Sequence, residues 1–494
     1  MTGALLAQLR RIPAAGRACA LIALVNAVVW AIVVPPFQVP DEITHFGYAQ
    51  YVAEAGAPPP AKEGAAQYSD EQQLTLERLG FFGVIGKSDQ RGIWTTPEDR
   101  ALRDALASQP SRQGEGGPSS ATNQPPLYYA LTAAAYWISP GHDILTRLYA
   151  MRLVSALLAA LTVLCVFLFL RELLPGTPWA WTVGALVVAF QPTFMFIAAG
   201  VHGDNLLFFA SAAVLAALAR AFRRGLTRRR AVAIALATVV GVLGKLTFIA
   251  FLPGIAFAFL LLLWRAAPDR RRDALASTGI AAAIVAAPIA LYMLLNTGVW
   301  DRGGGATGGV AVNSARVISI KERIGYIWQL FLPRVPGMHD QFDYFPLWET
   351  WFKGSIGRFG WLDYGFPEWV YGVARWIFVA VGGLALVELV RRIRAIGLAR
   401  LDWRLPFGAA VATMAIGLAA AIGWQGIGYR ADTGFTFEQA RYLMPLLALY
   451  GLVVALAARG AGRRWGPAVG ALLVVLAMTH GLFAQLLTIS RYYG

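Results

Sequence analysis

Long apolar runs separated by short polar joints recur from residue 18 to residue 487. A helix that crosses a bilayer needs about 20 mostly apolar residues. Nine stretches meet this length: 18–35, 148–170, 179–199, 205–222, 275–296, 369–390, 405–424, 440–458 and 466–487. Two more are ambiguous. Residues 125–139 are apolar but short, and residues 231–264 are too long for one span and carry Lys245 in their middle.

Charge placement resolves both. Arginines cluster within 10–17, 220–230, 265–272, 391–404 and 459–464, which together hold 21 of the 43 Lys and Arg residues. Short cytoplasmic loops carry such an excess. One arrangement keeps every cluster on that side. In it, 125–139 is a half-embedded helix at the outer face, and 231–264 is a two-span hairpin with Lys245 near its outer tip. The expected architecture is an all-α polytopic membrane protein, one transmembrane module over 1–494. It has about eleven transmembrane helices, the N-terminus inside and the C-terminus outside. The first span is expected to be retained, because Pro35-Pro36-Phe37-Gln38 follows it without a small-residue cleavage site.

Two large outer loops remain, at 37–147 and 297–367. The 37–123 portion of the first holds twelve acidic and seven basic residues, opposite in balance to the inner loops. The second opens with a Gly303–Gly309 segment and turns aromatic through Trp328, Tyr344, Trp348, Trp351 and Trp361. Loops this long in a compact membrane protein are usually functional. No internal repeat is evident.

Composition agrees with a membrane chain. Hydrophobic residues make up 57% and charged residues 14%, against about 25% charged in an average soluble domain. Mean hydropathy is +0.54. Disorder, a secreted disulfide scaffold and a soluble nucleic-acid binder are excluded. The net charge of +15 reflects orientation and anionic-lipid contact, so no nucleic-acid partner is expected. Cys19 and Cys165 lie in apolar segments and suggest neither a disulfide nor a metal site.

Candidate chemistry gathers on the outer face. Asp41 and Glu42 follow Pro40 at the end of the first span, with His45 one helical turn past Asp41. A Pro-Asp-Glu helix start has a simple reading as a cap. Two ionisable groups and a histidine at a membrane boundary point instead to function. The spacing is Asp-Glu-x-x-His, not the His-Glu-x-x-His of zinc proteases, so it defines no metal site.

Asp204, within Gly200-Val201-His202-Gly203-Asp204-Asn205, is an acid at the mouth of the fourth span, readable as site or cap. Lys245 either snorkels to the interface or contacts an anion there. Arg441, followed by Tyr442, opens the tenth span from the side where cations are disfavoured. A phosphate would account for it through bidentate bonds, and so would a salt bridge to Glu438. Arg430 is a weaker candidate, and Arg147 and Arg152 serve to orient the second span. Gln124-Pro125-Pro126-Leu127-Tyr128-Tyr129 begins the half-embedded helix as an anchor or a cavity wall.

Two acids and several cations on one face suit transfer from a lipid phosphate. A carboxylate takes the proton of an acceptor hydroxyl, and Arg and Lys stabilise the departing phosphate. The competing readings are a flippase or transporter for lipid-linked glycans, a ligase of such glycans, and a membrane scaffold.

At these motifs the chain resembles the GT-C superfamily of lipid-linked-sugar glycosyltransferases. It looks most like an uncharacterised bacterial membrane family with a Pro-Asp-Glu-x-x-His first-loop motif. It is more distantly similar to protein O-mannosyltransferases, aminoarabinose transferases and arabinofuranosyltransferases. The carriers are Pro40-Asp41-Glu42, the Gln124–Tyr129 motif, Arg152, Pro192 with Asp204, Lys245, and Arg441-Tyr442-Leu443 with Pro445. The resemblance implies a GT-C fold and a polyprenyl-phosphate-linked sugar donor, with inversion at the anomeric carbon. Its acceptor is a hydroxyl of a glycan, lipid or protein in the cell envelope. It implies a bacterial inner-membrane location with the site facing the periplasm. It implies Asp41 as catalytic base, with Glu42 as partner or alternative. Asp204 and His202 then belong to acceptor binding, His45 and Tyr48 to sugar binding or to orienting Asp41, and Lys245, Arg441 and Tyr442 to the lipid phosphate. No cofactor is required, although some relatives bind a divalent cation, Mg or Mn, at such acids.

Overall fold

The computed structural model describes residues 12–60, 67–92, 95–113, 117–118, 121–300, 302, 318–397 and 402–494. The expectations resting on Arg10, Arg11, Arg400 and the Gly303–Gly309 segment lie outside these residues. The described chain is a helical bundle. Its only strands are two-residue ladders, Gln67–Tyr68 with Gly117–Pro118 and Arg358–Phe359 with Tyr364–Gly365.

Nine helices among the described residues are long and apolar enough to cross a membrane. Several outrun their apolar stretches, because a helix continues past the hydrocarbon into the headgroup layer. Residues 148–170 become Ile144–Leu173, and 466–487 become Gly462–Tyr493. The expected single span at 179–199 is instead Pro178–Ala189 and Pro192–Ala198, bent by 60°. Pro192 withholds a backbone donor and starts the second piece, while the Gln191 side chain accepts from the Phe194 amide at 2.5 Å. The 231–264 stretch breaks where its one charge falls. Arg228–Gly244 ends at Lys245, whose backbone is extended, and the chain resumes as Leu246–Trp264. Arg228–Gly244 has 17 residues, at the lower limit of a span.

The 125–139 segment is a 12-residue helix, Leu127–Ile138, too short to cross. It lies against Glu42–Ala55 and Ile144–Leu173, with Leu131, Trp137 and Ile138 exposed along its outer side. Around it the first loop builds its own core from Phe37, Phe46, Tyr48, Leu76, Phe81, Tyr129 and Tyr136. Short capped helices complete that loop: Asp70–Arg78, capped by Ser69, and Thr96–Ala107, with a Thr95–Glu98 capping box.

Asp204 and an arginine cluster occupy opposite ends of one helix. Helix Asp204–Arg224 begins at Asp204 and ends at Arg223 and Arg224, ~30 Å away at 1.5 Å per residue. At that far end Glu172 accepts from Arg223 at 2.9 Å and pairs with Arg224 at 3.0 Å.

Tight helix contacts depend on missing side chains. A Cβ on Gly184 would lie 2.5 Å from the carbonyl oxygen of Gly451 on the facing helix. Gly184→Leu is therefore expected to cost about 1–3 kcal/mol through overpacking. Thermal unfolding in detergent measures this, and an unchanged midpoint would mean the two helices do not approach so closely.

Candidate active site

Local backbone geometry separates the two neighbouring acids. Asp41 adopts the left-handed conformation, φ 60° and ψ 5°, immediately before helix Glu42–Ala55. Asp tolerates this region better than most residues. Its side chain makes no cap bond, so the simple cap reading fails. The carboxylate turns instead into the bundle, where Arg441 Nη2 donates to Oδ2 at 2.5 Å.

Glu42 points the other way. It is fully buried and accepts from Arg152 Nε and Nη2 at 2.8 and 2.6 Å, and from the Val201 amide at 2.9 Å. The same guanidinium donates to the carbonyls of Ala31, Val34 and Pro35. The expectation that Glu42 works beside Asp41 is corrected by this geometry. Glu42 and Arg152 fasten the first loop to the first two long helices.

The other candidates converge on Asp41 as a chain of alternating charge. Arg441 Nη1 lies 2.9 Å from His202 Nε2 and Nε lies 3.9 Å from Asp204 Oδ2. Lys245 Nζ donates to Asp204 Oδ1. Among the described residues Asp204 Oδ2 has no hydrogen-bond partner, and neither has Arg441 Nε. Tyr442 sits beside the guanidinium, its ring centroid 5.2 Å from the Arg441 Cζ. The alternative pairing of Arg441 with Glu438 does not occur. Glu438 accepts from Tyr326 Oη at 2.5 Å instead.

His45 and Tyr48 form the layer behind. The His45 ring lies 4.2 Å from that of His202, and its Nδ1 is 2.7 Å from Tyr129 Oη. Tyr48 stacks on Tyr129 at 3.6 Å and donates to the Gln124 carbonyl. Both are buried, His45 against His202 and Tyr48 against Tyr129, which fits the expected orienting of the Asp41 cluster better than a direct sugar contact. Arg147 and Arg430 lie outside the cluster. Arg147 donates to Tyr136 Oη and Arg430 to the Gln341 carbonyl.

Electrostatics follow from burial and this pairing. Burial raises the Asp41 pKa, but Arg441 and His202 outweigh it and hold the carboxyl well below its ordinary value. Burial pushes His202 down to about 4 against the pull of Asp204. His45 is also lowered well below its ordinary value, chiefly by burial, with the Lys245 cation acting in the same direction. At neutral pH both imidazoles are therefore uncharged and Asp41 is a carboxylate. The His202 ring lies between the Asp204 amide, which donates to its Nδ1 at 3.1 Å, and the Arg441 guanidinium.

One wall of the site opens. The Asp41 side chain is 36% exposed while that of Arg441 is 5% exposed. Arg441 and Pro40 line a cavity of about 470 Å³. Tyr344, Glu349 and Arg358, from residues 318–367, and Glu438 line it as well. Gln191 and Thr193, at the bend between the paired helices, donate to the carbonyls of Ser355 and Gly354 and hold this segment in place. Sequence reasoning missed Glu349 and Arg358, whose loop offered no motif. Glu438 was visible only as a neighbour of Arg441.

Among the described residues no three His, Cys, Asp or Glu side chains converge as ligands. Asp41 and Asp204 each face a cationic side chain where a metal would sit.

Residues 24–450 match the family model of DUF2142, described as a predicted membrane protein family. The chain belongs to this family. No curated protein matches it. Among solved structures, this DUF2142 member is similar to ArnT from Cupriavidus metallidurans bound to undecaprenyl phosphate. There the identity is 13%, the TM-score 0.46, and the match covers 89% of this chain and 59% of that one. It is also similar to the oligosaccharyltransferase AglB from Archaeoglobus fulgidus in complex with an inhibitory peptide and a dolichol-phosphate. There the identity is 15%, the TM-score 0.47, and the coverage 97% and 56%. The match thus spans less than three fifths of either solved chain.

Proposed function

We propose that this chain is a membrane glycosyltransferase of GT-C type. It moves a sugar from a polyprenyl-phosphate donor to an acceptor hydroxyl on the outer face of a bacterial inner membrane. The observation that carries this reading is a partly exposed carboxylate, Asp41, ion-paired to Arg441, whose side chain lines a 470 Å³ cavity with Pro40, the neighbour of Asp41. Asp204 and Lys245 continue the charged chain behind it.

In this mechanism the acceptor oxygen attacks the anomeric carbon from the Asp41 side, and the bond from that carbon to the phosphate oxygen breaks. Asp41 receives the acceptor's proton. The electron pair of the broken bond leaves on the lipid phosphate, whose charge Arg441 and Lys245 neutralise. Attack opposite the leaving group inverts the anomeric centre. A depressed pKa makes Asp41 a weak base, which suits a late proton transfer from an oxygen already bonding to an electron-poor carbon. A metal has no step here. Transfer in excess EDTA is expected to match the untreated rate, and a loss restored by Mg or Mn would overturn the assignment of charge neutralisation to Arg441 and Lys245.

The outer location rests on the arginine clusters at the opposite helix ends. The test of the whole reading is native mass spectrometry of gently purified protein, followed by transfer assays with the lipid found. A co-purified polyprenyl monophosphate sugar that is consumed on adding acceptor supports it. A diphosphate-linked oligosaccharide favours a ligase or flippase. Ordinary phospholipid alone, with no transfer, returns the chain to a scaffold.

A further inference from the structure

We infer that the arginine-rich end of the bundle holds a binding site for an anionic phospholipid of the leaflet on that side. A cavity of about 790 Å³ opens there between helices Ile144–Leu173, Asp204–Arg224 and Arg228–Gly244. Arg171, Arg220, Arg224, Arg229 and Arg230 line it together with Glu172. Five arginines thus line the cavity with one carboxylate, which pairs with Arg220 and Arg224 and with Arg223 beside them. Among the described residues, no carboxylate pairs with Arg171, Arg229 or Arg230, and Arg230 donates to the carbonyls of Arg224 and Gly225.

Deeper in, the lining becomes apolar and small: Leu168, Ala213, Ala217 and Ala237. Ala213 lies two turns below Arg220, ~10 Å further into the bilayer. The cavity therefore has a charged mouth at headgroup depth and an apolar throat at acyl-chain depth. Orientation by the positive-inside rule explains which face the arginines take. It does not explain why they ring a cavity, or why so few acids balance them. A phosphodiester lipid satisfies both features, with its phosphate in the guanidinium ring and one acyl chain in the alanine-lined slot. The site lies at the opposite helix ends from Asp41 and Asp204, so it stands or falls independently of the transfer reaction.

The test uses the full chain in phosphatidylcholine nanodiscs with added phosphatidylglycerol, read by native mass spectrometry. Wild-type protein is expected to retain phosphatidylglycerol in preference to phosphatidylcholine. R171Q/R229Q removes two guanidinium groups that bond no carboxylate, and is expected to weaken retention about thirtyfold, from about 1 kcal/mol per arginine. R103Q, on the exposed outer loop, is expected to change nothing. An unchanged unfolding temperature establishes that the double variant is folded; if it unfolds, R171Q and R229Q are read singly. Equal retention by wild type and variant would overturn the inference. So would displacement of phosphatidylglycerol by added polyprenyl phosphate, which would give the cavity to a different lipid.

Discussion

Asp41→Asn is expected to slow sugar transfer by about 10²–10⁴-fold, the usual contribution of a positioned general base. The substitution keeps the volume of the side chain and an oxygen for Arg441 Nη2 to donate to. Asn also tolerates the left-handed backbone that Asp41 adopts. The unfolding temperature and the co-purified lipid should therefore stay as in wild type while turnover is lost. The measurement is the initial transfer rate with the donor identified by mass spectrometry, beside a thermal melt of the same preparation. A near-wild-type rate would remove Asp41 from the mechanism. Loss of rate together with loss of fold would leave the role of Asp41 open to a repeat with Asp41→Ser.

Arg152→Leu is expected to be the most damaging single change to stability, costing about 3–5 kcal/mol, because it strands a buried charge. Glu42 and Arg152 both have 0% side-chain exposure. Without the guanidinium, the Glu42 carboxylate stays buried and the carbonyls of Ala31, Val34 and Pro35 lose their donor. Thermal unfolding in detergent reads the loss. The double replacement Glu42→Leu with Arg152→Leu is expected to recover much of it, since no unpaired charge remains. A single variant that melts as wild type would show the pair to be expendable. Arg152→Leu and Asp41→Asn thus separate the two neighbouring acids by different readouts, stability for one and turnover for the other.

How far the sequence disclosed this arrangement differs from feature to feature. The long helices were legible, because hydrocarbon imposes a length and a polarity that hydropathy records directly. Lys245 marked its own helix break, since one charge in a 34-residue apolar stretch ends a span where it can reach polar surroundings. The bend at Pro192 was written in a single residue and passed unnoticed inside an apolar run. Asp41, His202, Asp204, Lys245 and Arg441 were each legible as charged or polar groups on one face. Their pairing was not, since Asp41 and Arg441 are 400 residues apart. The fate of Glu42 depended on a left-handed turn and on Arg152, 110 residues away. Neither follows from local propensity. The second outer loop was opaque for the same reason: Glu349 and Arg358 line the cavity only after the bend at Gln191 and Thr193 has caught the carbonyls behind them.

The Asp41–Arg441 pair also dates the site within the life of each molecule. At about 5–20 residues per second of synthesis, roughly 20–80 s pass between the two. Throughout that interval a nascent chain carries the acid without the cation that holds it. The charged chain therefore closes only once helix Ala440–Gly460 has been made.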